Sequence, residues 1–467
     1  MTRWCLVLAA LFAPLSPAWA DAAKPNVVLI IADDLGWGDL GCYGQTKIRT
    51  PSIDRLAKEG LRFTTYYSAC PVCAPSRCML MTGKHSGHAA IRDNKATPPE
   101  GQWPLPADEV TLTELLKQRG YATGAMGKWG LGMPGTTGDP NKRGFDLFYG
   151  YHCQAHAHNH YPTYLRRNAE KFLLDGNDGG DTGKQFTQDL FEAEALKFLD
   201  ANKDKPFFLY LPFIIPHLAL QAPEDALAEY RKLGWEETPY TGRQYRHHAT
   251  PRAAYAAMVT RMDRAVGKVL DKLKELKLEE NTIVLFTSDN GAATPGYGGA
   301  DTVFFRSHGD FRDSKGSVYE GGIRVPLVVR WPGKVAAGAT TDLPAVGYDL
   351  LPTLCEATGT PAPKGVDGVS LLPTLLGKKQ ETTHEFLYWE FPGYGGQQAV
   401  RMGQWKAVRQ KLRMGQKVTE LYDLAADPGE KTNVADKHPD VVAKLEKIMT
   451  AEHTPSKDFP LPALDGK

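Results

Sequence analysis

The stretch Val27-Val28-Leu29-Ile30-Ile31-Ala32-Asp33-Asp34 decides the fold class of this 467-residue chain. Its apolar run shows no polar alternation, as expected of a strand buried on both faces. Two carboxylates follow at its C-terminal end, then Gly36, Gly38 and Gly41. Adjacent aspartates are poor structure makers, because without a partner their repulsion raises a pKa. They suit either a polar turn with a helix cap or a hard-cation site built from oxygen ligands.

The pattern recurs further along the chain. A strand at 121–126 is followed by Gly127-Lys128-Trp129-Gly130. An apolar strand at 207–212 is followed by His217. The run at 282–288, the most β-prone of the chain, ends in Asp289-Asn290-Gly291. Helical periodicity covers 51–60, 111–119, 186–199 and 251–276. Asp263 in the last of these reads as structural, amid core positions Met258, Met262, Val266 and Leu270. Remote segments that each place polar chemistry after an apolar strand predict one site, since open α/β sheets carry their sites at strand carboxyl ends. The expected fold is α/β: a large mixed, mostly parallel sheet sandwiched by helices.

Cys73-Ala74-Pro75-Ser76-Arg77-Cys78-Met79-Leu80-Met81-Thr82-Gly83 reads as a turn feeding a short helix. Pro75 suits a first helical position and Gly83 the exit. Cys73 is then expected just ahead of a helix N-terminus, which favours an anion. Arg77, one turn on, is able to fork two oxygens of a tetrahedral oxyanion. These residues alone describe a reactive thiol at an oxyanion site. Residues 151–161 are rich in histidine, with His152, His156, His158 and His160. Such density suits a metal tract or an incidental surface loop, and we expect one imidazole to line the site.

Net charge is +1, which gives no electrostatic case for nucleic acid or a membrane surface. Arg3, the apolar run at 4–15 and Ala18-Trp19-Ala20 read as a secretory signal peptide over 1–20, with no membrane anchor. The chain is therefore expected to be exported, periplasmic or extracellular. Seven cysteines are sparse for a disulfide scaffold. Without Cys5 and Cys73 an odd number remains, so at least one thiol is free or bonded to another chain. Residues 21–377 read as a catalytic domain and 378–467 as a small antiparallel-sheet-plus-helix subdomain. Its aromatics Tyr388, Trp389, Phe391 and Tyr394 suit core packing or a sugar subsite.

Cys-x-Pro-Ser-Arg with Leu80 and Thr82-Gly83, Gly127-Lys128-Trp129, and Lys315 followed by Glu320-Gly321-Gly322-Ile323-Arg324-Val325-Pro326 resemble the signatures of the type I sulfatases. The resemblance extends over nearly the whole mature chain and implies an alkaline-phosphatase-like fold. It implies that a formylglycine-generating enzyme oxidises Cys73 to Cα-formylglycine. It further implies one divalent cation, Ca2+ before Mg2+, on Asp33, Asp34, Asp289, Asn290 and residue 73. By the same resemblance the hydrated aldehyde attacks sulfur, Arg77, Lys128 and Lys315 stabilise the sulfuryl oxygens, and His217 protonates the departing alcohol. Glu320 and Arg324 are read as holding backbone. The implied substrate is a sulfate ester, and the histidine-rich loop and C-terminal aromatics suggest a sulfated carbohydrate. One departure stands out: Gly130 occupies a position where the family usually has histidine. We expect His156 or His158 to serve instead. A phosphonate or phosphate ester hydrolase, and a sulfated-glycan-binding protein with unmodified Cys73, are the alternatives.

Overall fold

The computed structural model describes residues 24–466, so the signal segment 1–20 lies outside the described residues. Ten strands form one sheet, with Asn26–Asp33 near its centre between Phe207–Pro216 and Thr282–Ser288. Both neighbours are parallel to it. Ala122–Lys128 and Leu147–Tyr151 extend the parallel part on the Phe207–Pro216 side. Leu327–Arg330 pairs antiparallel on the other side, and short strands finish both edges. The sheet is therefore mixed and parallel at its centre, as the unbroken apolar runs require.

Alternate residues of Asn26–Asp33 serve two cores. Val28, Ile30 and Ala32 pack with the layer holding the helices Pro51–Lys58, Thr187–Asn202 and Pro251–Glu275. Val27, Leu29 and Ile31 pack toward Cys73–Thr82, Leu112–Gln118 and Leu350–Ala357. Local chemistry sets several helix ends. Thr111 and Glu114 close a reciprocal capping box at Leu112–Gln118. Asp263 reaches from the long helix to accept the Ser52 and Ile53 N–H groups at 2.8–3.1 Å, a structural role for a buried carboxylate. Gly83 ends the Cys73 helix at φ +71°, donating to the Met79 carbonyl at 2.8 Å.

Several boundaries differ from the sequence reading, among them the strand expected at 207–212, which runs on to Pro216. The helix begins at Cys73 itself, with Val72 as its N-cap, so Pro75 lies inside the first turn. Lys128 is the last residue of its strand rather than a residue beyond it, because pairing with Tyr151 continues to that point.

Leu387–Phe391, Gln397–Met402, Trp405–Arg409 and Thr419–Asp423 form an antiparallel four-stranded sheet. One face, with Tyr388, Val400, Ala407 and Leu421, packs on the helix Pro439–Ala451 through Leu445 and Met449. The other, with Trp389, Phe391, Ala399 and Val408, shares a core with Tyr67, Val72, Met79 and Tyr348 of the preceding part. The two sheets are thus joined by a common apolar layer. Across it runs a buried ionic network: Lys406 Nζ lies 2.9 Å from both Glu320 Oε1 and Glu430 Oε1. Arg324 and Tyr67 complete the shell of Glu320. Glu320 and Arg324 are therefore spent on structure.

Cys42, Cys70, Cys73, Cys78, Cys153 and Cys355 are all free thiols. Among the described residues no helix is long and apolar enough to cross a membrane.

Candidate active site

The strand ends converge. Asp33 closes the central strand, and Asp34 follows at φ +65°, turning its carboxylate toward the neighbouring strand end. Asp289 and Asn290 follow Thr282–Ser288. The Asp34 N–H donates to Asp289 Oδ1 at 3.3 Å, and Asn290 Nδ2 donates to Asp34 Oδ1 at 2.8 Å. Cys73, in the first turn of its helix, sets Sγ 3.3 Å from Asp33 Oδ1. Lys315 reaches in from its loop, with Nζ 2.7 Å from Asp34 Oδ1 and 3.5 Å from Cys73 Sγ. His217 follows Phe207–Pro216, and its Nε2 stands 3.6 Å from Asp34 Oδ2.

Arg77 and Lys128 lie behind these groups. Both Arg77 Nε and Nη2 donate to Asp289 Oδ2, at 3.0 and 2.8 Å, and Nη1 donates to the Lys128 carbonyl. Lys128 ion-pairs with Asp33 and is fully buried. The contacts of Arg77 and Lys128 are thus with the carboxylates of the centre. The guanidinium fork is taken by Asp289, because that carboxylate is buried beside it and needs a counter-charge more than a solvated anion does. Lys315 and Lys95 are cations that line the cleft, and of the two it is Lys315 that reaches Cys73.

The electrostatics follow from burial. Desolvation, and then Asp33 beside it, raise Asp289 to about 6. Desolvation and the competing pull of Lys315 leave Asp34 raised as well. Asp33 opposes its burial with the nearby charges of Lys128, His217 and Arg77, and ends well below the usual carboxylate range. Burial, then the Asp33 carboxylate, push the Cys73 thiol up. Burial first, and the Asp33 carboxylate second, thus favour the neutral thiol over the thiolate.

The residues present fit a hard cation. Asp33, Asp34, Cys73 and His217 each offer a ligand atom within 4.8 Å of the others. Asn290 Oδ1 is a buried oxygen without a hydrogen bond. Three carboxylates and an amide oxygen form an oxygen-rich donor set of the kind Ca2+ and Mg2+ prefer.

The histidine-rich loop divides its imidazoles. His158 stacks on His217 with ring centroids 4.9 Å apart, and it lines the cleft. Burial, then His217, lower its pKa to about 2. His160 donates from Nε2 to the His217 carbonyl at 3.1 Å, anchoring the end of that strand. His156 instead packs between Tyr151 and Tyr164 and does not line the cleft. His152 is buried against Phe148.

The centre opens into a cleft of about 520 Å³, within the range of small-ligand sites. Its walls include Tyr394, one of the aromatics considered for a sugar subsite, and Asn94, Gln102, Gln154, Tyr245, Thr294 and Tyr297, which sequence reasoning passed over. Tyr388, Trp389 and Phe391 are fully buried, whereas Tyr394 is 72 % exposed at the cleft mouth. The four aromatics therefore split, three to the core and one to the site. Asn94 Oδ1 accepts the Ala74 N–H at 3.0 Å and so fixes the start of the Cys73 helix.

Fold and centre together define an α/β enzyme whose carboxylate-rich, cation-ready site sits beneath an open cleft. The sulfatase family model matches residues 25–360, and a model described as N-sulphoglucosamine sulphohydrolase, C-terminal, matches 307–454. Human arylsulfatase A is 34% identical, with 93% of this chain and 89% of that protein covered. The N-acetylgalactosamine-6-O-sulfatase of Bacteroides thetaiotaomicron is 31% identical, covering 93% of this chain and 94% of its own. The crystal structure of Ps i-CgsB superposes with a TM-score of 0.77 at 32% identity, over 91% of this chain and 93% of that one. The chain belongs to the sulfatase family and is a sulfuric ester hydrolase.

Proposed function

We propose that this enzyme hydrolyses the sulfate ester of a carbohydrate, with residue 73 supplying the nucleophile. The observation that carries the reading is the convergence of Asp33, Asp34, Asp289, Asn290, Lys315 and His217 on Cys73 at the floor of an open cleft. Formylglycine, made from Cys73 by a formylglycine-generating enzyme during export, would supply a hydrated aldehyde whose second hydroxyl allows sulfate to be expelled again. A serine or an unmodified cysteine has no second hydroxyl on the same carbon. The thiol itself is a poor candidate, since burial and Asp33 keep it protonated.

Asp33, Asp34, Asp289 and Asn290 would hold a divalent cation, Ca2+ or Mg2+, which supplies Lewis-acid charge at the reacting oxygens. The rest is the work of this chain. Lys315 places an ammonium beside residue 73, where a sulfate oxygen must come. Arg77 and Lys128 keep Asp289 and Asp33 ionised and in place. His217 donates Nδ1–H to the Leu218 carbonyl at 2.6 Å, so its Nε2 carries the lone pair. That nitrogen would take the proton lost by the attacking hydroxyl of residue 73 and pass it to the departing alcohol oxygen. His158, stacked on it, holds the ring in place.

The carbohydrate assignment rests on the cleft mouth and on relatives. Tyr297 and Tyr394 are exposed aromatics there, suited to the apolar face of a pyranose. One named relative is an N-acetylgalactosamine-6-O-sulfatase, and Ps i-CgsB has been crystallised in complex with k-i-k-neocarrahexaose. The test is a panel of sulfated mono- and oligosaccharides beside an aryl sulfate and an aryl phosphonate, followed by release of inorganic sulfate or phosphonate. Selective sulfate release from a sugar supports the reading. Faster turnover of the phosphonate would replace it with a phosphonate ester hydrolase.

A further inference from the structure

Gly130 stands against a filled space. Its φ is +82°, in the left-handed region, and its N–H donates to the His152 carbonyl at 3.1 Å. A β-carbon built on it would lie 2.8 Å from Gln154 Nε2, with the Ala74 β-carbon next at 4.0 Å. Gln154 therefore occupies the volume that a side chain at 130 would need, next to the first turn of the Cys73 helix. Its position is set by backbone. Trp129 N–H donates to the Tyr151 carbonyl at 2.9 Å and Gly130 N–H to that of His152, so the chain from 151 to 154 runs alongside 128 to 130.

Gln154 lines the cleft together with Cys73, Lys315, His158 and His217. Its Nε2 is buried and has no hydrogen-bond partner. A buried amide N–H without an acceptor is costly, and one that lines a cleft can be completed by a bound ligand. The acceptor this cleft is built to receive is anionic and rich in oxygen.

We propose that Gln154 is a substrate-binding residue of the sulfate centre, donating its carboxamide N–H to an oxygen of the bound sulfate ester. The inference rests on the sulfatase reading. A carboxamide has no titrating proton near neutral pH, so at this position the enzyme binds its anion without exchanging a proton with it. Glycine at 130 suits the arrangement: its left-handed backbone disfavours a side chain, and the space beside it holds the Gln154 amide.

The test uses two replacements of similar length in the full-length enzyme. Gln154→Met keeps the volume and removes the N–H, while Gln154→Glu keeps the shape and turns a donor into a carboxylate. We expect the Met variant to melt no lower than wild type, because an unpartnered polar group has gone. It should lose roughly tenfold in kcat/KM on a sulfate ester, and roughly tenfold in affinity for inorganic sulfate by calorimetry. The Glu variant should lose more on both counts, through like-charge repulsion. A Met variant with wild-type kinetics and sulfate affinity, or a Glu variant no worse than Met, would overturn the proposal. Wild-type enzyme releasing no sulfate from any ester would overturn the sulfatase reading itself, and this inference with it.

Discussion

Arg77 holds Asp289 by two nitrogens on one oxygen, Nε at 3.0 Å and Nη2 at 2.8 Å from Oδ2, with both side chains almost wholly buried. The pair therefore fixes one of the proposed cation ligands from the helix that carries Cys73. Arg77→Met leaves Asp289 facing Asp33 without its counter-charge. The expected outcome is loss of turnover together with about 3–5 kcal/mol of stability, the usual cost of breaking a buried ion pair. Denaturant unfolding and sulfate release measure both. Arg77→Lys restores charge but not the fork and should recover stability more than activity.

The cation site gives a second prediction. Exhaustive chelation should abolish turnover and lower the melting temperature, because Asp34 and Asp289 then share one buried site. Ca2+ or Mg2+ should restore both properties. Asp289→Ala should lose activity that no added cation recovers. Full activity in a protein shown to be metal-free by elemental analysis would remove the cation from the account.

The buried network of Glu320, Lys406 and Glu430 gives a third. Lys406 is fully buried and stands between two carboxylates. Lys406→Met should destabilise the protein by about 3–5 kcal/mol, since two buried acids lose their common cation. If the variant folds, KM should change little, because none of the three residues lines the cleft. A thermal melt within a degree of wild type would contradict this.

His88 supplies a pH dependence remote from the reacting centre. Its Nδ1 lies 3.0 Å from Asp367 Oδ1, and this hydrogen bond is the main reason its pKa is raised above the ordinary histidine value. The folded state thus binds the proton more tightly than the unfolded chain does. The stabilisation is fully present below the unfolded pKa of about 6.5 and is lost as pH rises through the higher folded value. His88→Gln should flatten that part of the stability profile, measured by melts between pH 5 and 9. A profile unchanged by the substitution would show that the contact carries no linkage.

The parallel centre of the sheet was legible because its strands are unbroken apolar runs, a signal that neither loops nor surface strands imitate. The carboxylates and His217 were legible because they follow those runs, and Lys315 because it opens the stretch that resembles a sulfatase signature. The partner of Arg77 was not: Asp289 is 212 residues away, and nothing local distinguishes a carboxylate from a substrate oxyanion. His156 and His158 were indistinguishable for a related reason. They sit two apart in a single 3-10 turn, which sends one toward Tyr151 and Tyr164 and the other onto His217. Gln154 gave no signal, because its place depends on the volume left beside Gly130 rather than on any motif. Tyr394 parted from its aromatic neighbours because it lies beyond the strand Leu387–Phe391 that buries them.

The most direct measurement of the central claim is the mass of tryptic peptide 63–77 from enzyme that releases sulfate, after reduction and alkylation. That peptide contains Cys70 and Cys73. The account requires a single alkylated cysteine, at 70, and an aldehyde at 73 that a hydrazide reagent labels, in proportion to the specific activity of the preparation. Two alkylated cysteines and no aldehyde, in a preparation turning over sulfate esters at its full rate, would contradict it.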